Sequence, residues 1–403
     1  MYRLFCRKVI LGDEIHIACQ NRGKRMERFS IIATAAMGLE AVVADEVRRL
    51  GYECQVENGK VMFEGDAAAI CRANLWLRTA DRVKLKIGEF RATTFEELFE
   101  QTKALPWADY LPKDASFPVI GKSVKSTLFS VSDCQAVVKK AVVESLKERY
   151  RLSWFPETGA LYRIEVALHK DIATLTIDAS GAGLHKRGYR LRQGEAPLRE
   201  TLAAALVLLT NWTPDRPFVD PFCGSGTIAI EAALIGQNIA PGFNRNFVSE
   251  QWPWIGKQVW ERAREEAEAL AHYDQPLDII GMDIDPHMVE TAKANAAEAG
   301  LADLLSFRVG RAEQFRTDKR YGVIVGNPPY GERLGERREV EALYRAIGRA
   351  YASLDTWSVY ILTAHRGFET HYGRPATKRR KLFNGFIETH YYQYWGPRPL
   401  REG

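Results

Sequence analysis

From Phe29 onward the chain alternates short apolar runs with stretches of helical spacing. Ile31-Ile32-Ala33 is the first run; Leu39, Val42, Val43, Val47 and Leu50 then recur as one helix face before Gly51. Residues 53–57 and 60–64 flank Asn58-Gly59, a strong two-residue hairpin signal. Asp66 is placed to cap a helix running through Leu77, and Val83, Leu85 and Ile87 alternate as a fourth strand. The order β-α-β-β-α-β predicts a ferredoxin-like domain over 29–95. Such a module hosts many functions and selects none.

A second unit spans 96–183. Its signals are a loop over 121–126, a helix from about Asp133 to Tyr150, and a hairpin of 161–168 with 172–178 around Lys170-Asp171. A basic linker, 184–195, leads to a third region, 196–403. There apolar strands at 217–220, 277–283, 304–309, 322–326 and 358–363 alternate with helical patterns, and a hairpin around Asn384-Gly385 closes the chain. Five parallel strands plus that hairpin predict an α/β, Rossmann-like, seven-stranded doubly wound sheet, with ligands at the carboxyl strand ends.

Three stretches of this last region carry chemistry. Asn327-Pro328-Pro329-Tyr330 ends the apolar run 321–326. Its prolines fix φ at about −65° and remove two backbone donors, so the turn cannot relax into a helix. What remains is a side-chain amide, a bare carbonyl and a flat aromatic face. That set suits a nucleobase amino group: the Asn327 and Pro328 carbonyls accept its two hydrogens and Tyr330 covers the ring. Taken alone, the tetrapeptide is equally a Pro-Pro turn closing a strand.

The second stretch is Asp220-Pro221-Phe222-Cys223-Gly224-Ser225-Gly226-Thr227, a strand end and glycine loop before a helix. Its backbone can approach a ligand without Cβ interference. No Lys precedes Thr227, so it is not a phosphate-cradling P-loop. The third is Asp283, followed by Ile284, at the end of the next strand, where an acid binds ribose hydroxyls. Gly226 and Asp283 lie 57 positions apart, against the usual spacing of about 20. Residues 240–273 are therefore read as an insertion, with Trp252, Trp254 and Trp260 as its own small core.

Composition narrows the classes. The 403 residues are 46% hydrophobic and 27% charged, enough for two or three ordinary globular domains. No run of eighteen apolar residues exists, so no membrane helix is expected. Cys6, Cys19, Cys54, Cys71, Cys134 and Cys223 form no C-x-x-C pair; neither a disulfide frame nor a metal site is indicated, and a cytoplasmic location fits. Residues 1–28 lack a signal-peptide pattern and read as a leader or a misplaced start ahead of Met26. The net charge of +5 is local: 184–192 alone hold four bases and no acid, among them Lys186, Arg187 and Arg190. Lys122, Lys125, Lys139 and Lys140 form a second basic group. Each group is either a solvated face or a contact with RNA phosphates.

Five stretches, Phe29 to Glu40, Asn74 to Val83, Leu184 to Arg190, Asp220 to Thr227 and Gly326 to Arg333, together resemble the THUMP-domain RNA methyltransferases. Within them the chain is similar to the YpsC-like group and to the amino-terminal half of the RlmL ribosomal RNA N2-guanine methyltransferases. The resemblance covers about residues 29 to 397 and makes 96–183 a THUMP unit. It implies S-adenosylmethionine as methyl donor and an exocyclic amine as target, most directly guanine N2 in 23S ribosomal RNA. It assigns Asp220 to Thr227 to the donor loop, Asp283 to the ribose, and Asn327 to Tyr330 to catalysis. Where many relatives place an acid for the adenine amino group, this chain reads Gly310-Arg311-Ala312-Glu313, which leaves Glu313 as the candidate. Transfer RNA guanine, adenine N6 and a non-catalytic RNA-binding assembly factor are the competing readings. A monomer or weak dimer is expected.

Overall fold

The computed structural model describes residues 28–190, 198–331 and 334–399, and only the backbone of 334–336. The expected leader up to residue 27 and the linker's end at 191–195 lie outside the described residues.

The amino-terminal half begins with Phe29–Ala35 (β1), Glu40–Arg49 (α1), Cys54–Glu57 (β2), Lys60–Gly65 (β3), Ala67–Trp76 (α2) and Ala80–Arg91 (β4). Asp66 caps α2, accepting the Ala69 N–H at 2.9 Å. Phe95–Lys103 (α3), Trp107–Tyr110 (α4), Val119–Val124 (β5), Val131–Tyr150 (α5), Ile164–His169 (β6) and Ile172–Asp178 (β7) follow. The long strand β4 joins the two units. Its first half pairs with β1, and the stretch from Lys84 to Arg91 pairs with β7. One mixed sheet results, in the order β2-β3-β1-β4-β7-β6-β5. Most of the stretch 121–126 that reads as a loop is the edge strand β5, paired only with β6. Its alternating exposed positions carry Lys122 and Val124, so no apolar run marks it.

The carboxyl-terminal half holds Glu200–Leu208 (α6), Phe218–Asp220 (β8), Thr227–Gly236 (α7), Lys257–Ala269 (α8), Ile279–Asp283 (β9), Pro286–Glu298 (α9), Leu305–Val309 (β10), Val323–Gly326 (β11), Leu334–Tyr351 (α10), Ser358–Thr363 (β12), Phe368–Tyr372 (α11), Lys378–Asn384 (β13) and Ile387–Tyr394 (β14). The sheet order is β10-β9-β8-β11-β12-β14-β13, parallel through β12 with β14 antiparallel to it. Every residue of β11 and β12 is buried, as a parallel strand covered on both faces requires. Chain order reverses between β8 and β11. Crevices form there, at the carboxyl ends that carry Asp220 and Gly326.

The insertion does not make a core of its own. Trp252, Trp260, Phe247 and Ile255 belong to the hydrophobic cluster of the amino-terminal sheet. Trp252 stacks on Tyr162 at 4.8 Å and donates through Nε1 to the Leu161 carbonyl at 2.9 Å. Trp254 lies 5.1 Å from Phe29, and Arg72 of α2 pairs with Glu266 of α8 at 2.7 Å. Two tryptophans in a loop and one on α8 cannot close a core alone; the neighbouring module supplies the missing wall. Among the described residues no helix is long and apolar enough to cross a membrane.

Candidate active site

A cavity of about 650 Å³ opens at the carboxyl ends of β8, β9 and β11. Asp220, Pro221, Phe222, Gly224, Ser225 and Thr227 line it from the β8–α7 loop, and Asp283 and Ile284 from β9. Cys223, Glu313, Asn327 and Pro329 complete the set of sequence-derived residues on its wall. Gly226, Pro328 and Tyr330 do not line it. Gly226 has φ +85°, and a Cβ there would meet Ala292 at 3.0 Å and Phe307 at 3.1 Å, so this turn admits only glycine.

Asp220 is wholly buried. Its Oδ1 accepts the Phe222 N–H at 3.1 Å, while Oδ2 has no partner. Burial, helped by the nearby Asp283 charge, pushes its carboxyl up to about 8. An unpartnered buried oxygen beside a cavity fits a ligand that brings a cation or a donor. Asp283 already orders the loop: Oδ2 accepts the Gly224 N–H at 2.9 Å and Oδ1 the Asp285 N–H at 2.9 Å. Its remaining lone pairs can accept hydroxyls. Glu313 is held by Arg311, whose Nε donates to Oε1 at 2.7 Å; burial alone would raise its carboxyl, and this bond carries it down instead. Burial pushes the Cys223 thiol far up, the state of an inert packed side chain.

The turn after β11 is braced from several elements. Tyr330 donates its hydroxyl proton to Asn327 Oδ1 at 2.7 Å, and Asn384 Nδ2 donates to that hydroxyl oxygen at 3.4 Å. Tyr344 of α10 donates to the Pro329 carbonyl at 2.9 Å and lies 2.9 Å from the Thr363 hydroxyl. Sequence reasoning missed Tyr344, Asn384 and the α10 residues Glu339, Val340 and Leu343 that wall the cavity. Only the helical spacing of Val340, Leu343, Tyr344 and Ile347 hinted at a buried face.

The basic groups divide. Lys122, Lys125, Lys140 and Lys186 are exposed. Arg187 and Arg190 are not surface contacts. Arg187 is buried against Glu231 of α7 at 3.4 Å and donates to the Leu184 and Arg78 carbonyls at 2.6 and 2.5 Å. Arg190 pairs with Glu200 at 3.4 Å and donates to Thr227 Oγ1 at 2.8 Å. Lys139 pairs with Glu157 at 2.6 Å and sits 3.5 Å above the Phe117 ring, so it too serves the fold.

Glu341, His365 and His371 bring donor atoms within 4.8 Å of one another. Arg345, which can only donate, meets His371 Nδ1 at 2.9 Å. The ring's proton then sits on Nε2, 3.5 Å from Glu341. In that tautomer neither ring nitrogen keeps a free lone pair for a metal.

Comparison with known proteins matches three successive parts of the chain. Residues 30–84 match the RlmL ferredoxin-like domain, 92–178 the THUMP domain, and 187–393 the family described as RMKL-like, methyltransferase domain. The chain is 65% identical over 380 residues to "Putative RNA methyltransferase YpsC" of Bacillus subtilis (strain 168), covering 94% of this chain and 99% of that protein. A Listeria monocytogenes protein described as a "predicted N6-adenine-specific DNA methylase" is also 65% identical, with a TM-score of 0.89 over 92% of this chain and 97% of that one. SMU.472, solved in complex with S-adenosylhomocysteine, is 50% identical, with a TM-score of 0.89 over 92% and 99%. The chain therefore belongs to the RMKL-like methyltransferase family, in the group that carries an RlmL-type ferredoxin-like domain and a THUMP domain ahead of the catalytic sheet.

Proposed function

We propose that this protein methylates the exocyclic N2 amine of a guanine in RNA, with 23S ribosomal RNA the favoured substrate. One observation carries the reading: Asn327 and Pro329 of the turn line the same cavity as the buried, half-partnered Asp220 and the strand-end Asp283. S-adenosylmethionine supplies the electrophilic methyl carbon when bound, as the S-adenosylhomocysteine complex of SMU.472 supports. Asp220 Oδ2 suits an ammonium, Asp283 a ribose diol, and Ile284, Met288 and Ala312 the faces of an adenine.

The residues then act on the acceptor. A guanine N2 lone pair is delocalised into the ring and is a poor nucleophile. Asn327 Oδ1 keeps a second lone pair beside the one that takes the Tyr330 proton, and Pro328 offers its backbone carbonyl. Accepting both N–H bonds there favours a pyramidal nitrogen and turns its lone pair toward the donor. Tyr330 holds Asn327, and Tyr344 holds Pro329, the residue that follows the second acceptor, which makes alignment the main source of rate. No strong base is needed, because the nitrogen proton becomes acidic once carbon is attached.

The adenine-methylase description of the Listeria relative keeps adenine N6 as a second reading, since that amine offers the same two hydrogens. The THUMP match, beside exposed Lys122, Lys125, Lys140 and Lys186, favours RNA over DNA. Mass spectrometry of ribosomal and transfer RNA from a deletion strain decides. Loss of N2-methylguanosine from 23S RNA is expected; loss from transfer RNA, or loss of N6-methyladenosine, moves the assignment accordingly.

A further inference from the structure

Resting on the RNA methyltransferase reading above, we propose that the tip of the β13–β14 hairpin belongs to the substrate site, where Phe386 stacks on an RNA base next to the target. The Phe386 side chain is 106% exposed and contributes nothing to any core. Folding does not ask for it. Asn384 pairs with Ile387, leaving Gly385-Phe386 as a two-residue loop in which Gly385 takes φ +62°. A loop with glycine first accepts a polar residue second as readily as an aromatic one.

Single exposed hydrophobic residues are common on protein surfaces. What distinguishes this one is its neighbour and its stem. Asn384, two positions away, donates to the Tyr330 hydroxyl, which in turn donates to Asn327. The hairpin tip therefore touches the catalytic turn. The stem is fixed: Leu382 and Tyr391 are buried, Thr389 donates to the Leu382 carbonyl at 3.0 Å, and Arg380 donates to the Gly38 carbonyl at 2.9 Å. Exposed Lys378, Arg379 and Lys381 run along this edge strand toward the tip; Lys381 pairs with Glu388 at 2.6 Å and Arg379 lies 3.7 Å from Glu369, surface pairs for which a phosphate backbone can compete.

An amine inside a base stack cannot reach a pocket at the strand ends, so the target nucleotide must leave its stack. A rigid aromatic beside the entrance offers the neighbouring base a new stacking partner, which lowers the cost of extrusion. Asn384 is a positioning residue in the same arrangement, because it reaches the acceptor only through Tyr330.

The test uses the full-length protein, labelled S-adenosylmethionine and total RNA from a deletion strain. Phe386→Ala is expected to raise KM for RNA by about tenfold or more, the range of one lost base stack, while donor affinity stays at the wild-type value. Phe386→Trp is expected to restore KM, which a purely structural role would not produce. Wild-type activity with an unchanged KM in Phe386→Ala overturns the proposal and leaves the function intact. So does a Phe386→Ala effect confined to sedimentation of the protein alone, which marks a contact between two copies. A wild-type protein that methylates no RNA removes the functional reading and this proposal together.

Discussion

Asp220 and Glu231 are both wholly buried carboxylates, one at the end of β8 and the other in the helix α7 that follows. Their surroundings are opposite. Glu231 Oε1 accepts from Tyr189 at 3.0 Å and Arg187 Nε at 3.4 Å, and Oε2 accepts from Arg187 Nη2 at 3.4 Å. Asp220 has one accepted N–H and one bare oxygen at a cavity. A buried charge with every acceptor used ties the linker to the catalytic sheet. A buried carboxyl with an acceptor to spare is held ready for something that is not protein. Partner count, not burial, separates the two.

The largest effect expected from breaking this contrast is at Glu231. Arg187→Ala leaves its carboxylate buried without a counter-charge, a loss of about 3–5 kcal/mol in chemical denaturation. Asp220→Asn should leave stability within about 1 kcal/mol, because no partner is orphaned. Equal losses in the two variants would erase the distinction. Asn327→Ala comes next. It should lower kcat about 10²–10³-fold, as removal of one aligned polar group does elsewhere, with donor Kd within about twofold. Comparable falls in rate and donor affinity would make the turn a structural element.

Asp220→Asn should weaken S-adenosylmethionine binding about tenfold or more, the scale of one hydrogen bond to a charged group. Its pH dependence sharpens the point. The free carboxyl, pushed up to about 8, is mostly protonated at neutral pH, and a cationic ligand prefers it ionised. Donor affinity should therefore rise with pH below about 8, by up to about tenfold per unit, and fall again once the ligand's own ammonium loses its proton. Calorimetry on wild type and Asp220→Asn isolates the carboxylate, since the variant should lack that share of the slope.

Much of this was legible beforehand. The glycine turn at 58–59, the all-apolar strands and the tetrapeptide sit where spacing put them, while the closing hairpin turns one residue later than expected, at Gly385-Phe386, because Asn384 pairs with Ile387. The β5 edge strand was not legible, because a strand paired on one side and half exposed needs no apolar run. The insertion's tryptophans looked self-sufficient because their partners, Tyr162 and Phe29, lie far away in sequence. Arg187 and Arg190 looked like phosphate ligands because a count of bases does not see Glu231. Yet the helix Thr-Ile-Ala-Ile-Glu-Ala-Ala-Leu-Ile-Gly carried the warning. One acid inside an apolar helix buried on all sides needs a cation, and the basic linker was the nearest source.

The smallest effect expected concerns two neighbours on α5, and it carries the same contrast to the surface. Lys139 donates to Glu157 and to the Phe117 carbonyl at 2.6 and 3.1 Å, whereas Lys140 is exposed. Lys140→Glu, combined with Lys122→Gln and Lys125→Glu, should weaken RNA binding a few-fold at low salt. Each lost phosphate contact should also reduce the slope of log affinity against log salt by about 0.7 for single strands. Lys122 can be changed without stranding its partner, because Glu165 keeps Lys84 at 2.6 Å. Lys139→Glu should leave the salt slope alone and lower stability instead, since it sets a second carboxylate beside Glu157. A salt slope that responds to Lys139 and not to Lys140 would reverse the assignment of this helix's two faces.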